Sequence, residues 1–199
     1  RSAISGLSLG MDAPYLYRSL VFGAVCGLYR LIEGFEKQEI DIEKYHQLAL
    51  QKQKEHRKVL ANLKKKPPKN LDKIAQEIHD EVFQEIDCTA CANCCKTLGP
   101  DFKEADITRI AKYFKMKLPA FEAEFLQVDE DGDKVFKSMP CPFLGGDNLC
   151  SIYDVRPKAC REFPHTDRKK IYQINHLTIK NTLTCPAAYL FVEKLKDRL

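Results

Sequence analysis

The sequence predicts a mainly α-helical fold with a small β-hairpin, in which cysteine-bearing loops are carried on a helical scaffold. Three observations predict it. Long proline-free stretches are rich in Glu, Lys and Gln; apolar residues recur every three or four positions; and cysteines gather around tight loops. The chain has 199 residues, 44% hydrophobic and 30% charged, which is enough to bury a core and excludes disorder throughout. A formal net charge of +4 is too small to name a partner. We expect residues 1–69 to form a helical N-terminal segment with a basic linker, and residues 70–199 to form a cysteine-cluster domain.

Residues Arg1 to Gly10 precede the first Met and read as a leader carrying no function. Ser19 to Tyr29 is apolar between Arg18 and Arg30, but about eleven residues cannot span a bilayer that needs about twenty. It reads as a buried or interfacial helix, so no membrane span is expected. A lipoprotein reading of Cys26 fails because Val25, not a small residue, precedes it. From Leu16 to about Leu63 one or two helices are predicted, ended by Lys64-Lys65-Lys66-Pro67-Pro68. The basic stretch from Lys52 to Lys69 lacks aromatic residues for base stacking, so it reads as a solvated face and nucleic-acid binding is not expected.

After Asn70, read as an N-cap, Leu71, Ile74, Ala75, Ile78, Val82 and Ile86 mark one face of a helix running into the first clustered cysteine. Asp101 and Glu104 have the form of a capping box, followed by the stripe Ile107, Ile110, Ala111 and Phe114. Pro119 starts a short helix with Phe121, Phe125 and Leu126 inward. Asp131-Gly132, between short alternating stretches, predicts the hairpin. Asp129, Asp131 and Asp133 near Gly132 do not make an EF-hand, whose glycine falls at position six and whose closing glutamate falls at twelve. Gly145-Gly146-Asp147-Asn148 marks a second turn. Val155-Arg156-Pro157 opens a short helix carrying Cys160, and Ile171 to Ile179 reads equally as strand or buried helix. Cys185-Pro186 begins a final helix with Ala187, Leu190, Phe191 and Leu195 toward the core and Cys185 at its N-cap, where thiolate is favoured.

Nine cysteines are present, and eight of them, Cys88, Cys91, Cys94, Cys95, Cys141, Cys150, Cys160 and Cys185, form a set of metal-ligand candidates. Thiolates are soft ligands that select zinc, copper(I) or iron–sulfur centres, and Cys-x-x-Cys-x-x-Cys-Cys brings several sulfurs together in one tight loop. A vicinal Cys94-Cys95 pair rarely bridges to itself, and no convincing signal peptide is seen, so a reducing, cytoplasmic location is expected rather than disulfides. Cys88, Cys91 and Cys94 have the spacing of three corners of a [4Fe-4S] cube, whose fourth ligand is often Cys-Pro; Cys141-Pro142 and Cys185-Pro186 both qualify. Zinc competes, because eight thiolates divide into two tetrahedral sites. The Cys94-Cys95 pair is awkward for one mononuclear site, since neighbouring side chains in extended backbone diverge. Cys26 reads as a small buried hydrophobe and stays outside the set. His165 and His176 are weaker substitutes for a thiolate. Arg156, Lys158 and Arg161 surround Cys160, and Arg156 and Arg161 are expected to offset thiolate charge or to bind sulfur or Asp154.

The ordered motifs Cys88-x-x-Cys91-x-x-Cys94-Cys95, Cys141-Pro142-Phe143-Leu144, Cys150-Ser151-Ile152-Tyr153 and Arg156-Pro157-x-x-Cys160-Arg161-x-Phe163-Pro164 resemble the CxxCxxCC family of putative zinc- or iron-chelating domains, the YkgJ-type cysteine-cluster proteins. The resemblance covers roughly Ile86 to Ala188 and implies metal chelation by the eight cysteines, without choosing the metal. Flagellin lysine N-methylases look related through a similar cluster, yet no glycine-rich nucleotide loop occurs here.

The expected function is a metal-binding protein holding iron, as an iron–sulfur cluster, or zinc, with an accessory role in redox chemistry or protein modification. Two alternatives stand beside it. One is a cluster-dependent enzyme, lysine-methylase-like or an oxidoreductase, which needs an open coordination position. The other is a zinc-stabilised adaptor that binds a protein partner through its N-terminal helices.

Overall fold

Helix after helix follows the apolar spacing in this computed structural model, which describes residues 40–199. The apolar stretch from Ser19 to Tyr29 and Cys26 lie outside the described residues. Helix α1, Ile42–Lys65, starts where Asp41 accepts a hydrogen bond from the Lys44 backbone N–H and ends at the lysine run before Pro67. Helix α2, Leu71–Glu85, buries Leu71, Ala75, Ile78 and Val82 along one face. Asn70 holds the expected N-cap position, though its side chain makes no capping hydrogen bond.

Two short helices follow, α3 at Cys88–Cys91 and α4 at Asn93–Thr97. Helix α5 spans Glu104–Tyr113. Its start corrects the expected capping box. Asp101 instead pairs with Lys103 Nζ at 2.6 Å, and the Lys103 backbone N–H reaches Asp106 Oδ2 at 3.4 Å, so the cap sits two residues later. Helix α6, Leu118–Phe125, carries proline in its first turn and buries Phe121. Strands β1, Leu126–Val128, and β2, Lys134–Phe136, form the antiparallel hairpin with Leu126 opposite Phe136. Its turn is closed by Asp129, whose Oδ1 accepts the N–H groups of Asp131 and Asp133, and Gly132 supplies the φ of +83°.

Helix α7, Lys158–Glu162, carries Cys160. The undecided stretch from Ile171 is helical. One 3-10 turn, Ile171–Ile174, runs into α8, Asn175–Thr182. Ile171, Ile174 and Ile179 then meet the core at helical spacing. Helix α9, Pro186–Asp197, closes the chain with Cys185 at its N-cap.

Two apolar clusters result, and they share no residue. The first joins α1, α2, α8 and α9 through Leu60, Leu63, Ile78, Val82, Ile179, Phe191 and Leu195. The second is largely aromatic and joins α5, α6 and the hairpin through Ile107, Ile110, Phe121, Phe136 and Phe143. Phe143 lies 5.1 Å from the Phe125 ring, 5.3 Å from Phe114 and 5.6 Å from Phe136 between centroids. Such ring pairs favour offset or edge-on contact, which fixes the segment just after Cys141-Pro142. Among the described residues no helix is long and apolar enough to cross a membrane.

Candidate metal centre

The eight clustered cysteines occupy four chain segments, and each segment is fixed by its own local device. In the first, Asp87 caps α3 by accepting the Thr89 backbone N–H at 2.7 Å. Helix α3 ends at Ala92, whose φ of 48° lies in the left-handed region and turns the chain into α4. Cys94 and Cys95 therefore lie in a helical turn, not in extended backbone. Successive helical side chains diverge less than the extended reading assumed, and the two Sγ atoms are 4.0 Å apart.

In the second segment Cys141 and Cys150 lie on either side of a tight turn. Gly145 N–H bonds to the Leu149 carbonyl at 2.8 Å, Leu144 bridges Cys150, and Ser151 N–H returns to the Phe143 carbonyl at 2.9 Å. A Cβ on Gly145 would stand 3.3 Å from the Leu149 carbonyl and 2.7 Å from an Asp147 carboxylate oxygen, which explains glycine there. The turn is tied to the first segment by the Cys141 N–H, which donates to the Cys95 carbonyl at 2.8 Å.

The third segment is held from below by an ion pair on α5 between the buried Asp106 and the half-buried Arg109. Asp106 Oδ1 accepts from Arg109 Nη2 at 2.6 Å and from the Lys158 backbone N–H at 3.1 Å. Arg109 in turn donates to the carbonyls of Val155 and Arg156. This clasp fixes the first turn of α7 and hence Cys160. The fourth segment is Cys185, reached through Asn93, whose Nδ2 donates to the Thr184 carbonyl at 2.7 Å. Asn93 thus docks the loop between Cys91 and Cys94 against the start of α9.

All eight are free thiols, and their electrostatics are those of crowded acids. Burial pushes Cys88 up to about 11 and Cys185 up to about 12. The same cause raises Cys141 to about 11 and Cys160 to about 12, and raises Cys91 and Cys150. Repulsion between sulfurs adds to burial. Cys94 is raised because it donates its S–H to Cys95, and Cys95 is held down to about 7 by accepting that bond, with help from the Lys96 ammonium.

Backbone N–H groups oppose these increases. Asn93 acts on Cys91, Phe143 and Leu144 on Cys141, Ile152 on Cys150, and Ala188 and Ala187 on Cys185. In each case the donor lies two or three residues after the cysteine. That is the arrangement in which a loop or helix start favours thiolate and supports a sulfur-bound metal. No capping hydrogen bond closes at Cys185, but the first turn of α9 still favours its anion.

The cations are only partly those expected. Arg156 lowers Cys150 and Cys160, yet its Nη1 donates to the Tyr153 carbonyl and its guanidinium stacks 3.7 Å from the Tyr153 ring. Arg161 donates to the Arg156 carbonyl. Neither of these contacts is the expected one to sulfur or Asp154. Lys96 went unnoticed in the sequence, though a lysine directly after Cys94-Cys95 is a readable signal. Asp106, Arg109 and Asn93 carried no such signal, because their targets are backbone carbonyls and N–H groups of distant segments.

His165 takes a positive φ of 66° among Glu162, Asp167 and Arg168, and burial lowers its pKa. His176 lines an open groove between α1 and α8 with Arg57, Leu60 and Lys64. The contacts described for both histidines involve no cysteine.

The donor set fits a thiophilic metal: eight free thiols, six half-buried and two, Cys88 and Cys160, exposed, with N–H groups directed at several of them and few competing cations. Among the described residues, no three Cys, His, Asp or Glu side chains already stand in a closed coordinating arrangement, so closure on an ion requires the thiols to turn inward. Comparison with known proteins gives a family and no closer relative. No curated protein and no solved structure matches the chain. The family model CxxCxxCC, described as a putative zinc- or iron-chelating domain, matches residues 87–186, from the cap of α3 to the first residue of α9. That match covers half of the 199 residues and includes all four cysteine-bearing segments, so the chain belongs to the CxxCxxCC family.

Proposed function

We propose that this protein binds iron, held as an iron–sulfur cluster, or zinc through Cys88, Cys91, Cys94, Cys95, Cys141, Cys150, Cys160 and Cys185, and serves redox chemistry or protein modification as an accessory in the reducing cytoplasm. The observation that carries this reading is that all eight thiols are free and that hydrogen bonds tie their segments together, Asn93 to the Thr184 carbonyl at 2.7 Å and the Cys141 N–H to the Cys95 carbonyl at 2.8 Å. Crowded thiols are unfavourable as anions, and a bound cation reverses that cost. A bound iron–sulfur centre would supply one-electron chemistry, and bound zinc a closed structural site.

The chain's own residues orient and tune the ligands. The N–H groups of Asn93, Phe143, Ile152 and Ala188 favour thiolate, Lys96 and Arg156 lower the local negative potential, and the two apolar clusters shield one side of the loops. Elemental analysis by mass spectrometry, on protein purified without oxygen and without a metal-affinity step, tests the reading. Iron near four atoms per chain would support a cubane cluster, and one or two zinc atoms would support closed thiolate sites. Protein that is folded, reduced and free of both metals would overturn it.

A further inference from the structure

Arithmetic allows eight thiols to make two sets of four but does not say which four, and the triple Cys88, Cys91 and Cys94 has two Cys-Pro candidates for its fourth member. We infer that the thiols form two separate four-cysteine centres, one of Cys88, Cys91, Cys94 and Cys185 and the other of Cys95, Cys141, Cys150 and Cys160, joined at the Cys94–Cys95 peptide. This division rests on the metal-binding reading above and adds to it the membership of each centre.

Backbone contacts separate the two sets. Asn93, inside the first loop, is bonded to Thr184, the residue before Cys185, at 2.7 Å. Cys95, one residue beyond Cys94, is instead bonded through its carbonyl to the Cys141 N–H at 2.8 Å. Cys141 and Cys150 share one turn, and the Asp106–Arg109 clasp brings the Cys160 segment beside α5. The two sets also rest on different cores. Cys185 packs on the helical cluster, whereas Cys141 and Cys150 pack on the aromatic one.

The rival arrangement has Cys94 and Cys95 chelating a single ion. Their 4.0 Å separation alone would permit it, since sulfurs about 2.3 Å from a tetrahedral metal lie about 3.8 Å apart. The backbone ties of the two residues decide against it. Asn93, next to Cys94, is tied to the residue before Cys185, while the Cys95 carbonyl is tied to the Cys141 N–H.

Anaerobic titration of the reduced 199-residue chain with cobalt(II), followed by thiolate-to-cobalt absorption, tests the division. The expected result is two equivalents per chain. Cys185→Ser and Cys88→Ser should each lose one and the same equivalent, so that their double variant still binds one. Cys150→Ser and Cys160→Ser should behave alike for the other, and a Cys185→Ser/Cys160→Ser double should bind none. A single equivalent in the unmodified chain, or a Cys141→Ser variant that pairs with Cys88→Ser, would overturn the division while leaving metal binding intact. Absence of any cobalt binding would overturn both. Should a serine variant lose its helical circular dichroism, the histidine variant at the same position, which retains a ligand, is titrated instead, and which of the two equivalents loses thiolate-to-cobalt intensity decides the assignment.

Discussion

Ala92 shows how much of the loop depends on one backbone conformation. It is 4% exposed and takes φ 48°, a region that costs most non-glycine residues roughly 1 kcal/mol, because only there can α3 turn into α4 within one residue. Replacing it with Val, whose branched Cβ suffers most in that conformation, should lower stability by about 1–2 kcal/mol in a denaturant titration. Ala92→Gly should be nearly neutral, since relief of strain is offset by loss of a buried methyl worth about 0.8 kcal/mol. A valine variant as stable as the parent would show that the strain is not real. Glu193 gives a second prediction. Hydrogen bonds from Lys52, His56 and Lys196 outweigh burial and hold its carboxyl down to about 2, from an ordinary 4.5. A depressed carboxyl stabilises the fold fully above about pH 4.5 and loses that contribution as the pH falls toward 2. Glu193→Gln should therefore cost on the order of 2 kcal/mol near neutrality, and its difference in melting temperature from the parent should shrink toward pH 2. At this scale the sequence shows the eight cysteines plainly, because sulfur chemistry resides in residue type. It does not show Ala92, since alanine carries no mark of a left-handed turn, nor Asn93, whose target lies 91 residues away.

Among the elements, α5 does more than its apolar stripe suggests. Its inner face packs Ile107 and Ile110 as the spacing predicts, while Asp106 and Arg109 on the same helix hold the segment leading to Cys160. Asp106 is 2% exposed while Arg109 is 32% exposed, so losing the charged hydrogen bonds of this half-buried pair costs roughly 2 kcal/mol. Asp106→Ala should lose about that much stability and reduce metal content per chain, measured on the same purified sample. Retained metal together with lost stability would mean that the clasp serves the fold alone. The helices and the hairpin were legible because each carries an internal period or a turn signal, as at Leu71 to Ile86 and at Asp131-Gly132. Their ends were less so. The start of α5 moved from Asp101 to Lys103 because a side-chain carboxylate three residues inside the helix, not one ahead of it, takes the free N–H. Ile171 to Ile179 stayed undecided because β-branched residues suit a strand, and only the burial of Ile171 and Ile179 against α1 and α2 favours a helix.

Across the whole molecule, the cysteine loops lie beside two apolar clusters that share no residue, so metal should act as a fastener between them. Cys91→Ser or Cys94→Ser is expected to lower metal content and to destabilise the fold by several kcal/mol, given roughly 10 kcal/mol for a structural metal site. Thermal melting with and without a chelator measures the same effect, and unchanged metal and melting temperature would sink the site. Removing the residues before Asn70 should not release an intact cysteine domain, because Leu60 and Leu63 of α1 lie in the same core as Ile78 and Phe191; such a fragment is expected to lack a cooperative melt. The gathering of cysteines was readable as a resemblance, but their grouping was not, since it depends on where α9 returns against Asn93. That return also has a temporal consequence. Cys185 leaves the ribosome long after Cys88, Cys91 and Cys94, and Thr184 can meet Asn93 only once the 91 residues between them are made. During synthesis the first three sulfurs are a ligand set without its fourth member, so completion of that centre waits for Cys185. Nascent protein stalled before Cys185 would then carry a more labile metal than the released product.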